Sequence, residues 1–404
     1  MTVEIIPSKA EGTVKAPPSK SMAHRLLICA GLSKGESVVR GVSASEDIKA
    51  TLDCLSSLGA SWNAEGSDIY VTGTNEPSVV SGEALHCRES GSTLRFFVPL
   101  ALLSGKNTVL EGSRTLLSRP LGVYADICRE KKLLFSQDGS SVVVKGPLPS
   151  GTYTVPGNIS SQFISGLLFA LPLAKGDSEI HILPPVESSP YINLTVRALE
   201  KFGVKTEHTE GDIIKVKGNS VYSPADVSVE GDWSNAAFFA ALNELGGNVK
   251  ITGLDENSLQ GDKIFTKHFE SLSKGTPVIH IGDCPDLAPV LFAVAAAKYG
   301  GVFTGTRRLK IKESDRAECM AQELRKFGTA VTVRDDSVII FPKEFHAPSE
   351  NLYGHNDHRI VMALSVLSTV TGGIIDGAEA VSKSFPDFFE RLGEVGIEVK
   401  CSEI

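Results

Sequence analysis

The densest run of reactive side chains in this 404-residue sequence is Lys312-Glu313-Ser314-Asp315-Arg316, with Arg307, Arg308 and Lys310 just upstream. In the plainest reading it is a solvated cap on a helix that begins near Ala317. A compact basic group beside a carboxylate, in an acidic protein, also suits a bound anion together with a proton carrier. Asp357-His358-Arg359 opens an apolar stretch over 360–369; alone it reads as an N-cap with two neighbours. Asp286 heads the very apolar segment 287–297, where a carboxylate is either a cap or, beside a cationic site, a base or a ligand for a hydroxyl. Lys20 and Arg25 are five apart; with Lys20 in a turn before a helix, both can point into one pocket. Gly91, within Glu89-Ser90-Gly91-Ser92-Thr93-Leu94-Arg95, either serves only the turn or lets backbone N–H groups approach a phosphate closely. Arg114 and Arg119 fall in a loop, where arginines are usually solvated, and Lys383 precedes the Phe385-Pro386-Asp387 helix start.

These groups recur with a period. Six stretches open alike, at Ser19, Ser90, Ser160, Asp232, Asp286 and Asp357, with successive gaps of 71, 70, 72, 54 and 71 residues. A long internal period of this kind has to be recognised before any other fold reading. In the first stretch, residues 21–31 form an apolar helix ended by glycine, 37–41 a short strand, and 45–58 a second helix with apolar residues at Ile48, Leu52, Leu55 and Leu58. A hairpin over 61–63 and 68–72 closes the unit. The same order returns at 121–131 and 142–145, at 192–202 and 213–217, at 318–327 and 338–341, and at 387–392 and 397–400. The unit reads as helix–strand–helix–strand–strand, and the fourth copy is short. Small hydroxyl, amide and basic residues thus collect where helix N-termini carry unpaired N–H groups, the chemistry of an anion site. Stacked units share a core and can close as a barrel or split into two lobes; a TIM barrel is disfavoured because its units are shorter.

Composition narrows the class. Hydrophobic content of 42% and charged content of 22% are those of a globular protein long enough for two domains. A net charge of −8 with no basic block disfavours nucleic acid. The seven cysteines are dispersed, without a Cys-x-x-Cys pair, as expected of a reduced cytoplasmic protein without a zinc site. The most apolar runs, 167–174 and 287–297, each contain a proline and are too short to span a bilayer, so no membrane is expected. No Gly-x-x-x-x-Gly-Lys loop, Gly-x-Ser-x-Gly elbow or His-Glu-x-x-His motif is present.

Taken together, Pro-Ser-Lys-Ser with Arg25, Ser-Gly-Ser-Thr-Leu-Arg, Ser-Ser-Gln-Phe, Lys-Glu-Ser-Asp-Arg, Asn-Asp-His-Arg and Lys-Ser-Phe-Pro-Asp closely resemble the 5-enolpyruvylshikimate-3-phosphate synthase family of enolpyruvyl transferases (3-phosphoshikimate 1-carboxyvinyltransferases), in order and spacing from about Gly12 to Phe389. The resemblance implies an α/β fold, a two-domain inside-out α/β barrel of six βαβαββ repeats, three per domain. It implies one lobe over 19–229 that binds shikimate 3-phosphate, a second made of 1–18 with 230–404, and an active site between them. The implied reaction transfers the enolpyruvyl group of phosphoenolpyruvate to the 5-hydroxyl of shikimate 3-phosphate by addition and elimination, releasing phosphate. It implies no metal or organic cofactor. A cytoplasmic monomer is expected.

Carried onto matching positions, the resemblance implies that Ser21 and Arg25 hold the shikimate carboxylate. Ser160, Ser161 and Ser188 would hold its phosphate, with Gln162 and Tyr191 against the ring. Lys20, Gly91, Arg114, Gln162, Arg316, Arg359 and Lys383 would hold phosphoenolpyruvate. Asp286 would take the 5-hydroxyl proton with Lys312 nearby, Glu313 would deliver a proton to the methylene carbon, and Lys20 would stand beside both substrates. Two positions depart from the family pattern, Glu89 and Arg308, each where Asn is common. Glu89 is expected to be neutralised by Arg114, Arg119 or Arg88; Arg308 adds a possible phosphate partner. The alternative enzyme, a UDP-N-acetylglucosamine enolpyruvyl transferase, is expected to carry a cysteine in the arginine loop, and 113–119 has none. A non-catalytic anion-binding module would need no paired acids.

Overall fold

Five of the six repeat starts act as helix caps, which is why the helices begin where they do. Ser19 accepts a hydrogen bond from the Met22 N–H, Ser90 from Thr93, Ser160 from Gln162, Asp232 from Asn235 and Asp357 from Arg359. Each satisfies a donor that the helix itself leaves unpaired. The helices they open are Lys20–Leu32, Gly91–Ala101, Ser161–Ala170, Trp233–Glu244 and His358–Thr371. Asp286 is different. It lies inside a 3₁₀ turn, Pro285–Leu287, that runs into the Ala288–Ala297 helix, and its carboxylate is spent on side chains rather than on the helix end.

The computed structural model describes residues 1–74, 76–78, 83–209, 211–342 and 345–402. The chain divides into two units, Pro18–Glu230 and Met1–Pro17 with Gly231–Ile404. Each has one hydrophobic core built around three of the six helices. Ala288–Ala297 is apolar on every side and buried in all but its last residue, as a helix without a polar face must be. In the Pro18–Glu230 unit, the Ser161–Ala170 and Gly91–Ala101 helices cross so closely that a Cβ on Gly166 would lie 2.6 Å from the Arg95 carbonyl oxygen. Glycine is the only residue that allows that crossing.

The sheets are small and repeat one plan. Among the described residues five have four strands and one has two. In Leu85–His86, Asn107–Glu111, Ser141–Lys145 and Leu134–Gln137, for example, the first pair is parallel and the next two are antiparallel. The repeat is therefore βαβαββ, with a leading edge strand before each buried helix. The residue pattern read as helix–strand–helix–strand–strand misses that strand, which is only two residues long at Leu85–His86 and at Leu352–Tyr353, though six at Gly151–Pro156. The short fourth repeat forms the two-stranded sheet, and its partner strand is Glu11–Lys15 from the N-terminus.

The N-terminal Thr2–Ile5 strand fills the hairpin position of the last sheet, antiparallel to Gly373–Asp376 and Val399–Ser402. Val3 and Ile5 point into the core in the alternation that a half-buried strand requires. Likewise Asp226–Ser228 supplies the leading strand of the first repeat's sheet, parallel to Gly35–Arg40. Each unit is thus closed by a strand distant in sequence.

Candidate active site

Two groups of candidate residues assemble within Pro18–Glu230. The first centres on Arg25, which is buried yet hydrogen-bonded only to neutral partners among the described residues. Its Nε donates to Thr195 Oγ1 at 2.8 Å, Nη1 to the Ser21 carbonyl at 2.6 Å and Nη2 to the Tyr191 carbonyl at 3.0 Å. Its guanidinium stacks over Phe96, 5.3 Å from the ring centre. Burial pulls the Arg25 pKa down to about 10, the mark of a cation short of negative charge. Lys20 is balanced by Asp47 at 2.7 Å. Ser188 is buried in left-handed backbone (φ 60°) at the start of the Ser189–Lys201 helix, two residues before Pro190 and three before Tyr191.

The second group surrounds Gly91. Arg95 Nη1 donates to Gln162 Oε1 at 2.6 Å, and Gln162 Nε2 donates to Ser92 Oγ at 2.8 Å. A Cβ on Gly91 would stand 2.7 Å from Arg119 Nη1 and 3.4 Å from Arg95 Nη1. Two guanidinium groups therefore meet at a helix N-terminus that has no side chain in the way, which favours an anion there. The two loop arginines differ in burial. Arg114, expected at Gly91, is exposed and lines a surface hollow with Thr115, Ser118 and Asp138, while Arg119 is buried against the turn. The reason is local: Ser113 caps a one-turn helix, Arg114–Leu117, that turns its first residue outward. Nothing in the residue types separates the two arginines. Glu89 precedes the Ser90 cap and is half-buried, and Arg88 is engaged by Glu46 and Asp53.

The third group lies in the other unit and is a lattice of opposite charges. Arg316 is 1% exposed and Asp357 0%. Arg316 Nε meets Asp357 Oδ2 at 2.8 Å, its Nη1 meets Asp286 Oδ1 at 2.8 Å, and its Nη2 meets Glu313 Oε2 at 2.5 Å. Lys312 Nζ lies 3.1 Å from Asp286 Oδ1, and Arg359 Nη2 lies 3.4 Å from Asp286 Oδ2. Arg359 is steadied by Ser234 Oγ at 2.7 Å, and Lys383 Nζ donates to the Asn356 carbonyl at 2.7 Å. Burial alone would raise the Asp286 pKa; Arg359, Lys312 and Arg316 outweigh it and hold the carboxyl well below its usual range. Burial lowers Lys312, against the pull of Asp286. Arg308, buried, donates from Nη1 to the Gly282 carbonyl at 3.3 Å. Asp357 was legible only as a cap, yet its second oxygen binds the Arg316 guanidinium.

Paired acids among fixed cations, hydroxyl-lined arginines and a glycine at an open helix end describe an α/β repeat protein that handles small polyanions and moves protons. The model of the EPSP synthase family, 3-phosphoshikimate 1-carboxyvinyltransferase, matches residues 5–392. The chain is 41% identical over 418 residues to a 3-phosphoshikimate 1-carboxyvinyltransferase of Clostridium kluyveri, and 40% identical over 419 residues to one of Clostridium acetobutylicum, with 98% of each chain covered in both cases. An EPSP synthase structure from Acinetobacter baumannii shares the fold, with a TM-score of 0.78 at 24% identity over 99% of this chain and 100% of the other. This chain belongs to the EPSP synthase family and is a transferase of the shikimate pathway to aromatic amino acids.

Proposed function

We propose that the family's reaction, carboxyvinyl transfer from phosphoenolpyruvate to shikimate 3-phosphate, is shared among the three groups by charge. Arg25 and Ser21 take the shikimate carboxylate, and Ser160, Ser161 and Ser188 take its phosphate, with Gln162 and Tyr191 against the ring. Gly91, Lys20 and Arg119, in place of the exposed Arg114, receive the phosphate of phosphoenolpyruvate. Arg316, Arg359 and Lys383 receive the rest of that substrate.

The observation that carries this reading is the Asp286–Lys312–Arg316–Glu313 cluster. A module that only binds anions gains nothing from two carboxylates set against its cations. In the addition step the 5-hydroxyl oxygen bonds to C2 of phosphoenolpyruvate, its proton passes to Asp286, and Glu313 protonates C3. Loss of phosphate with a proton from C3 then restores the vinyl group. Asp286 as it stands is a weak base because three cations hold it ionised. A substrate carboxylate that draws Arg316 and Arg359 toward itself leaves Asp286 more basic, so binding switches the base on.

A cytoplasmic monomer is the setting we propose. All seven cysteines are unpaired thiols, which fits a reducing compartment. No described helix is long and apolar enough to cross a membrane. Phosphate release measured with phosphoenolpyruvate and either shikimate 3-phosphate or UDP-N-acetylglucosamine tests the assignment. Release only with the first acceptor is expected; release with the second, or with neither, overturns it.

A further inference from the structure

The turn that leads into Asp357 and Arg359 is held by a buried cluster with no part in the roles above. Glu323 lies two turns along the Arg316–Lys326 helix, and its side chain is 2% exposed. Its Oε2 accepts the Tyr353 backbone N–H at 2.9 Å and faces Lys326 Nζ at 2.9 Å; its Oε1 lies 2.8 Å from His355 Nε2. Cys319, on the same helix, acts electrostatically on His355, and the Tyr353 ring packs edge-on to the imidazole at 5.0 Å. The turn needs such support. His355 and Asn356 are consecutive left-handed residues, with φ of 49° and 53°. Side chains with a Cβ hold that conformation only where the surroundings impose it.

The same helix grips the turn at its other end, where Arg316 Nε meets Asp357 Oδ2 at 2.8 Å. Lys383 is tied to the turn as well, through the Asn356 carbonyl at 2.7 Å. Contacts two turns apart on one helix fix a segment in both position and rotation, which a single contact cannot do.

We propose that Glu323 and His355 are positioning residues: they clamp the Tyr353–Asp357 turn on the Arg316–Lys326 helix, so that Arg359 and Lys383 are presented together with Arg316 to phosphoenolpyruvate. This rests on the functional reading given above. The clamp has a pH signature. Burial pulls the His355 pKa down, but Cys319 and the Glu323 carboxylate carry it up to about 9. The groups that face the imidazole are Glu323, Cys319 and the Tyr353 ring, with Lys326 on the far side of Glu323 and Glu350 reaching Lys326 at 3.9 Å. His355 is therefore an imidazolium at neutral pH. The stability it lends is complete below its ordinary value of 6.5 and is lost as pH rises through about 9.

Steady-state kinetics on the full chain, with each substrate varied in turn, test the clamp. Glu323→Gln keeps an acceptor for Tyr353 but loses the charge; it is expected to raise KM for phosphoenolpyruvate about tenfold and leave KM for shikimate 3-phosphate within about twofold. The parent's KM for phosphoenolpyruvate is expected to rise through pH 9, and His355→Gln, which keeps a donor but cannot titrate, is expected to lose that rise. A lower melting temperature with both KM values unchanged, or equal rises in both, overturns the proposal. Should Glu323→Gln fail to fold, the His355→Gln profile decides, and an unaltered alkaline limb overturns it. A parent chain with no phosphate release would sink the functional reading, and this inference with it, before any variant is made.

Discussion

Arg25 and Arg316 are both almost fully buried, and their surroundings are opposite. Arg25 is met by hydroxyls, carbonyls and an aromatic face. Its neighbour His24 continues the theme: Nδ1 is 2.7 Å from Thr51 Oγ1, which is 2.9 Å from Thr93 Oγ1, which donates to Ser90 Oγ at 2.8 Å. A neutral chain thus joins the Lys20–Leu32 helix to the cap of the Gly91 turn. Burial, and secondarily Lys20 and Arg25, push the His24 pKa well down, so it adds no charge of its own. Arg316 is met by three carboxylates. Burial works against its proton, but Asp357, Glu313 and Asp286 hold it on more firmly. A buried cation among neutral groups waits for an anion and holds it still. A cation among carboxylates has its charge already matched, so an arriving anion must compete for it, and the competition changes the basicity of what is displaced. The first arrangement suits binding and the second suits proton transfer.

The contrast is broken most directly at the acids. Asp286→Asn and Glu313→Gln should lower kcat by roughly 10²-fold or more, with much smaller changes in shikimate 3-phosphate binding. A parent-like kcat in either variant removes that residue from the chemistry. Stability should then separate the two arginines. Arg316→Met strands Asp357 as a buried unpaired carboxylate and should cost roughly 3–5 kcal/mol, whereas Arg25→Met leaves only neutral groups unmet, at about 1–3 kcal/mol. Equal shifts in urea denaturation would erase the distinction.

Within the hydroxyl-lined unit, Arg119→Ala should raise KM for phosphoenolpyruvate by roughly thirtyfold and Arg114→Ala by less than about threefold, since only the former loses a charge-assisted contact at the Gly91 turn. The reverse order would restore Arg114 to the site. The smallest effect is in acid. The depressed Asp286 pKa gives stability that is present above its ordinary value of 3.8 and lost as pH falls through the lower folded value. The slope of unfolding free energy against pH below about 4 should be shallower in Asp286→Asn than in the parent; an identical slope would mean that Asp286 is not held ionised by its three cations.

The sequence by itself determined what depends on near neighbours. The six repeat starts, the capping at Ser19, Ser90, Ser160, Asp232 and Asp357, the apolar helices and the short fourth copy are all written in spacings of a few residues. Hydrogen bonds from a cap reach only the next turn, and periodicity needs only one face. The set of motifs was likewise enough to name the family. Tertiary structure decided the rest. Two-residue edge strands carry no period, so Leu85–His86 and Leu352–Tyr353 were invisible, and no local signal places Thr2 opposite Asp376. Arg114 and Arg119 differ only in the turn that each follows. The Asp286 carboxylate joins Arg316 across 30 positions and Arg359 across 73, and Arg316 joins Asp357 across 41. Charges so far apart in sequence meet only because the packing of buried helices fixes where each one begins, and it is that packing which sets their pKa values.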